Sequence, residues 1–213
     1  MFDPDCRLCP RLATFLDDVK VDNPDYHARP VAPFGPKKAQ LLIVGLAPGM
    51  HGANATGRPF TGDHSGLLLY QTLYDFGFSN KPVSESINDG LKLKNCRITN
   101  AVKCLPPQNK PTTDEVKTCS RFLKQEIDEL KPGTVVLALG SIAHNAILRT
   151  LALKVGQYKF GHLHEYALPE GLWLLDSYHC SRYNTQTRRL TEEMFQQVFA
   201  RAQQLMGRSA SAA

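Results

Sequence analysis

Cysteine is the first residue type in this chain whose spacing points to chemistry. Cys6 and Cys9 form a Cys-x-x-Cys pair, and Cys104 and Cys119 lie far downstream with 14 residues between them. Paired thiolates hold a metal ion or an iron–sulfur cluster when the fold brings them within reach of one centre. The gap in the second pair is longer than a zinc-finger knuckle, so on composition both zinc and a [4Fe–4S] cluster are open. Cys96 and Cys180 stand outside the set and read as buried thiols packed like small apolar residues.

Three further segments carry groups suited to a ligand. Gly45-Leu46-Ala47-Pro48-Gly49 opens a loop that reaches Phe60 and Asp63. Its glycines let backbone approach a ligand closely, and its N–H groups can donate to an anion. It is neither G-x-G-x-x-G nor a Walker loop. Phe60 is the odd residue in this polar stretch, either a stacking platform for a planar ligand or a plug over the core. Asn100 ends an apolar run; its amide both donates and accepts, so it can read a pyrimidine edge or simply make a turn. The third segment is Tyr178-His179-Cys180-Ser181-Arg182-Tyr183-Asn184, followed by Arg188-Arg189. There His179 can donate to a developing oxyanion. Ser181, Arg182 and Asn184 can bind phosphates, and Tyr183 or Arg182 could wedge into a base stack. The plainer reading of that stretch is a capped loop with a solvated basic face.

The elements that must position these groups follow from apolar runs and their punctuation. Leu41–Gly45, Arg97–Val102, Thr134–Gly140 and Leu172–Asp176 read as buried parallel strands. Asp63 or Ser65 caps a helix that stops at Gly77, and Thr112 and Glu115 make a capping box for a helix to about Leu130. Ser141 caps another helix to about Leu153, and a last helix runs from about Thr187 to Met206. Strand–loop–helix units of this kind give a parallel sheet covered on both faces. Loops 45–65, 100–111, 140–142 and 177–188 all leave carboxyl ends of strands and are expected to converge on one crevice.

Bulk composition narrows the setting. The 213 residues suit one domain, and 42% hydrophobic content supports a real core. Lys plus Arg number 25 against 20 for Asp plus Glu, a +5 balance that suits a polyanionic partner without demanding one. Six cysteines are too sparse for a disulfide scaffold. The first residues show no secretory signal, and no apolar run approaches the roughly 20 residues of a membrane span. These features are expected of a cytoplasmic protein with no membrane association, in which clustered cysteines read as metal ligands.

Taken together, six motifs resemble the uracil-DNA glycosylase superfamily, and more narrowly its type-B, or family 5, iron–sulfur branch. They are Cys6-Arg7-Leu8-Cys9-Pro10-Arg11, Gly45–Gly49, Gly57-Arg58-Pro59-Phe60-Thr61-Gly62-Asp63, Thr99-Asn100-Ala101-Val102-Lys103-Cys104, Leu139-Gly140-Ser141 and His179–Asn184. Singly each is weak; in this order along nearly the whole chain they are specific.

The resemblance implies an α/β/α sandwich around a four-stranded parallel sheet; chain length and the small residues after Gly207 are expected to give one domain over residues 1–207 and a flexible tail over 208–213. It implies a structural [4Fe–4S] cluster on Cys6, Cys9, Cys104 and Cys119. It further implies base excision from DNA by a monomer, with Asp63, His179 and Asn100 as catalytic residues. Phe60, Gly45, Leu46, Ala47 and Gly49, with Asn100 and His179, would bind the base. Ser65, Ser141, Ser181, Arg182, Tyr183, Asn184 and Arg188 would bind DNA. Type-A relatives carry Gly-Glu-Ala-Pro-Gly in the first motif, and the uracil-specific branch has an aspartate matching Ala47. Here Leu46 and Ala47 are apolar, so the water-activating carboxylate falls to Asp63, and hypoxanthine or xanthine join uracil as expected bases. Cys180 replaces the usual proline of His-Pro-Ser. The competing readings are a type-A-like enzyme acting on uracil alone, a metal-stapled nucleic-acid-binding module without catalysis, and an electron-transfer protein.

Overall fold

Five short strands form one sheet in the order β2-β1-β3-β5-β4. The computed structural model describes residues 2–208; Met1 and 209–213, the greater part of the expected tail, lie outside the described residues. The strands are β1 (Leu41–Gly45), β2 (Cys96–Asn100), β3 (Val135–Leu139), β4 (Glu165–Ala167) and β5 (Trp173–Ser177). All neighbours pair in parallel except β4, which lies antiparallel to β5 at one edge. The sheet therefore has the four parallel strands expected and a fifth besides.

Alternation along the strands divides the core into two layers, because successive side chains leave opposite faces. Leu42, Val44, Val136, Ala138 and Leu174 pack on one face with α1 (Pro10–Asp22), α4 (Thr113–Asp128) and α5 (Ser141–Thr150). Leu41, Ile43, Val135, Leu137 and Leu175 pack on the other with α3 (His64–Asp75) and α7 (Glu192–Leu205). Both faces are covered, so β1 and β3 are buried at every residue, as parallel sheets require. Two short helices complete the set, α2 (Ala53–Thr56) and α6 (Arg182–Gln186). No helix among the described residues is long and apolar enough to cross a membrane.

The helix ends show where local signals decided the fold and where they did not. The Thr112 hydroxyl accepts from the Glu115 N–H at 3.2 Å while Glu115 accepts from the Thr112 N–H at 2.7 Å, the reciprocal box expected. Ser141, by contrast, is the first residue of α5 rather than its cap; Gly140 holds the cap position with φ 95° and no side-chain bond. Asp63 occupies the cap position of α3 without bonding to it, so its carboxylate is directed elsewhere. The closing helix expected from about Thr187 begins later, at Glu192, because Thr191 caps α7 through the Met194 N–H; a separate short helix, α6, precedes it over Arg182–Gln186. At its end the Arg208 carbonyl accepts from the Trp173 indole at 2.7 Å.

Candidate functional site

The carboxyl ends of β1 and β2 are zipped together, and the zipper sets the floor of a crevice. Gly45 is paired in register with Asn100, and beyond the strands the Ala101 and Val102 N–H groups still donate to the Gly45 and Leu46 carbonyls. A methyl group on Gly45 would collide with Asn100 Oδ1 and would stand 2.7 Å from Phe60 Cζ. The amide and the ring thus meet directly over bare backbone.

Phe60 is held there against a conformational cost. Its φ of 58° lies in the left-handed region, which bulky side chains avoid. The surroundings fix it from three sides. The Tyr70 hydroxyl donates to the Pro59 carbonyl at 2.7 Å. Gly66 leaves no room for a side chain against the Phe60 carbonyl. Arg58, buried, spans Asp89 at 2.8 Å, Ser84 at 2.9 Å and the Ile87 carbonyl at 2.7 Å, with Phe34 under its guanidinium at 4.5 Å. Segment 84–89 is in this way clasped behind the ring.

The crevice has a volume of about 280 Å³. Leu46, Ala47, Gly49, Phe60, Asp63, Ser65, Asn100, His179 and Ser181 all line it, nine positions that the sequence had marked for a ligand or for DNA. Gly45 lies buried beneath it. Ala53 and Asn109 line it as well; the Gly-, Pro- and Asn-rich composition of their loops was the only signal, and it did not single them out. The loops do not close on one crevice alone. Ser141 and Asn184 line a second one beside the first, while Arg182, Tyr183 and Arg188 are exposed, Tyr183 by 70%. Asn184 also donates to the His179 carbonyl at 2.8 Å, tying the α6 start to the imidazole-bearing loop.

Two titratable groups in the crevice depart from their ordinary behaviour. Burial pushes His179 down to about 4, so its imidazole is neutral at neutral pH and offers one N–H. Burial also raises the Asp63 carboxyl, with the Ala53 N–H, at 3.4 Å, and the nearby His51 opposing the shift. Its carboxylate lies against Gly49 and Gly52, where any Cβ would strike it. A raised carboxyl and a neutral imidazole on one crevice form an arrangement able to take a proton from water while the histidine donates elsewhere.

On the far side of β2, Cys6, Cys9, Cys104 and Cys119 line one pocket with Leu8, Leu12, Val102 and Phe122. Burial and the neighbouring sulfurs push Cys9 up to about 11 and Cys104 up to about 12. Thiolates so placed destabilise one another unless a cation lies among them. The Lys103 N–H donates to Cys119 Sγ at 3.3 Å. Among the described residues no three His, Cys, Asp or Glu side chains close around a single metal ion. Cys96 and Cys180 are buried singly, as the sequence suggested.

Comparison with known proteins bears on what this arrangement is for. A family model described as the Uracil DNA glycosylase superfamily matches residues 32–203. The chain is 47% identical over 207 residues to a protein of Thermus thermophilus named type-5 uracil-DNA glycosylase, covering 95% of this chain and 94% of that one. A protein of the same name from Pyrobaculum aerophilum is 42% identical over 201 residues, covering 92% and 87%. A type-4 uracil-DNA glycosylase of Saccharolobus solfataricus is 27% identical over 176 residues, covering 77% and 72%.

Proposed function

Because the chain belongs to the uracil-DNA glycosylase superfamily, we propose that it hydrolyses the N-glycosidic bond of uracil in DNA, releasing the base and leaving an abasic site. The observation that carries this reading is the gathering of Phe60, Asn100, His179 and Asp63 on one crevice at the ends of β1 and β2.

The glycosidic bond is shielded inside a duplex, so the nucleotide leaves the stack and enters the crevice. Phe60 stacks on the base and Asn100 pairs with its Watson–Crick edge. As the bond to the sugar lengthens, negative charge collects on the base and positive charge on the sugar ring. The neutral His179 N–H donates to the departing base, where a fixed donor in a dry site is most effective. Asp63 orients the attacking water, takes its proton and offsets the positive sugar. Leu46 and Ala47 present no polar group to discriminate by hydrogen bonding, which supports acceptance of hypoxanthine or xanthine besides uracil. One chain supplies all of these groups, so the enzyme acts as a monomer on DNA. We place the whole machinery in a single domain over residues 1–207, with Ser65, Ser141, Ser181, Arg182, Tyr183, Asn184 and Arg188 contacting the DNA.

The thiol pocket fits a metal group, since four cysteines line one apolar site in which burial and the neighbouring sulfurs raise Cys9 and Cys104. Cys6, Cys9, Cys104 and Cys119 would hold the [4Fe–4S] cluster. When bound it would supply a covalent tie between the N-terminal segment, the loop after β2 and α4. Cys104 is four residues from Asn100, so that tie steadies the reading amide.

The test is product analysis on a U:G duplex: release of free uracil, and alkali-labile strand breaks at the uracil position. Duplexes with hypoxanthine and xanthine define the range. DNA binding that falls with salt and yields no abasic product would establish a binding module and end this reading.

A further inference from the structure

The second crevice, of about 230 Å³, adjoins the first, and the two share Leu46 and His179. Its floor is aromatic. The rings of Phe160 and Tyr178 lie 6.1 Å apart and tilted by 51°; Tyr178 already carries the Arg189 guanidinium at 4.9 Å and the stacked His162 ring at 5.1 Å, so Phe160 is the ring left to a ligand. Ile142, half exposed at the first turn of α5, forms an apolar rim.

This floor is fixed from beneath by a buried ion pair that the excision chemistry does not use. His144 and Asp176 are without solvent exposure, and His144 Nδ1 lies 2.8 Å from the Asp176 carboxylate. His144 Nε2 donates to the Tyr158 carbonyl at 2.9 Å, and the Gly161 N–H donates to the second Asp176 oxygen at 3.4 Å. These two bonds bracket Phe160, whose ring stands 5.6 Å from that of His144. A buried pair carries a heavy desolvation cost. Here it holds segment 158–161, which contributes nothing to the base slot and one ring to the second crevice.

An aromatic floor with a cation beside it is the chemistry that stacks a nucleobase irrespective of its identity. Continuity with the base slot makes the occupant part of the same strand. We propose that the second crevice takes the nucleobase next to the excised one, stacked on Phe160 beside Tyr178 with its phosphate toward Arg189. The inference rests on the DNA reading above but not on cleavage.

Binding to uncleavable DNA tests it. Duplexes carry a tetrahydrofuran abasic analogue at the target position, and each neighbouring nucleotide in turn is either normal or itself baseless. Removing the base from one of the two neighbours is expected to weaken binding by the unsubstituted protein about tenfold. It should weaken binding by Phe160→Ala less than twofold. Phe160→Leu, which keeps the apolar volume and loses the ring, should behave like Phe160→Ala and serves where the smaller side chain does not fold. No loss with either neighbour, or equal losses in the unsubstituted protein and the variants, would overturn the proposal. Because the readout is affinity, a protein that binds in the expected pattern and releases no uracil would fault the assigned reaction and leave the subsite standing.

Discussion

The rings of Phe60 and His179 lie 6.2 Å apart and within 29° of parallel. That separation is already within the range of direct aromatic stacking. A base inserted between them would need about 7 Å, two stacking layers, so the rings do not sandwich a ligand. They form a common wall, with Asn100 adjoining Phe60 across Gly45. A base on that wall therefore meets an aromatic face, an amide and an imidazole N–H at once.

Replacing Phe60 separates stacking from filling. Phe60→Leu preserves most of the apolar volume but no ring, and should cost about 1–3 kcal/mol in transition-state binding, read as kcat/KM in single-turnover excision. Phe60→Ala should show the same loss of activity and a lower melting temperature as well, because the ring is buried. Full activity in Phe60→Leu would make the residue a core plug.

Asp63→Asn should lower the excision rate by about 10²–10⁴-fold, the range of a positioned general base, with little change in thermal stability. Among the described residues the carboxylate makes one long bond, to the Ala53 N–H, and does not cap α3, so the fold does not depend on it. Retained activity would remove Asp63 from the reaction.

The pH profile should lack the usual histidine limb. With His179 held at about 4, the imidazole does not change charge between about pH 6 and 8 and contributes no limb there. The acid limb belongs to Asp63, whose carboxyl is raised by burial; the rate falls as it protonates, and Asp63→Asn should abolish that limb. Stability follows from the same shift. The unfolded chain protonates this histidine near 6.5 and the folded one only near 4, so His179 subtracts stability as pH falls through that window. A rate limb centred near 6.5 that persists in Asp63→Asn would contradict the neutral imidazole.

Asp89 gives the opposite dependence from a different cause. Burial would raise its carboxyl, but Arg58 and three backbone N–H groups outweigh that and hold it at about 2. A folded-state value below the unfolded one stabilises above about pH 4 and ceases to do so as pH falls toward 2. Asp89→Asn should accordingly flatten acid unfolding in that window. It should also reduce excision, since the Arg58 clasp behind Phe60 loses its main partner; a change in stability alone would show that the clasp does not position the ring.

For the thiol pocket, anaerobically purified protein should contain about four iron and four sulfide per chain with visible absorbance. Cys119→Ala should lower the iron content and the melting temperature together. If the group is structural, reductants should leave excision unchanged; turnover of the cluster during catalysis would refute that.

How far the sequence foretold this arrangement varied with the kind of signal. β1 and β3 were plain because apolar runs of four and five residues ending at glycine leave few alternatives for a strand buried on both faces. The Thr112 box was equally plain, being local chemistry. β4 was missed, since Glu165-Tyr166-Ala167 is a half-buried edge with neither alternation nor an apolar run. α1 carries only a faint signal, since Leu12, Leu16 and Val19 repeat at helical spacing but sit directly after Cys9, whose metal-ligand pattern marks the same stretch as a loop. The four groups of the base crevice were found through motif order, and their convergence depends on which strands are neighbours, which residue types do not encode. The His144–Asp176 pair lay hidden for that reason: 32 positions apart, it exists only because β5 lies beside β3, which leads into α5.

Gly45 has a practical consequence for anyone wishing to retarget this protein. The deepest surface of its slot is main chain, fixed by ladder pairing with Asn100, and every replacement for Gly45 fills space instead of creating it. Widening by mutagenesis is thus closed at the bottom and open only along the sides, at Leu46 and Ala47, so libraries aimed at bulkier lesions belong there.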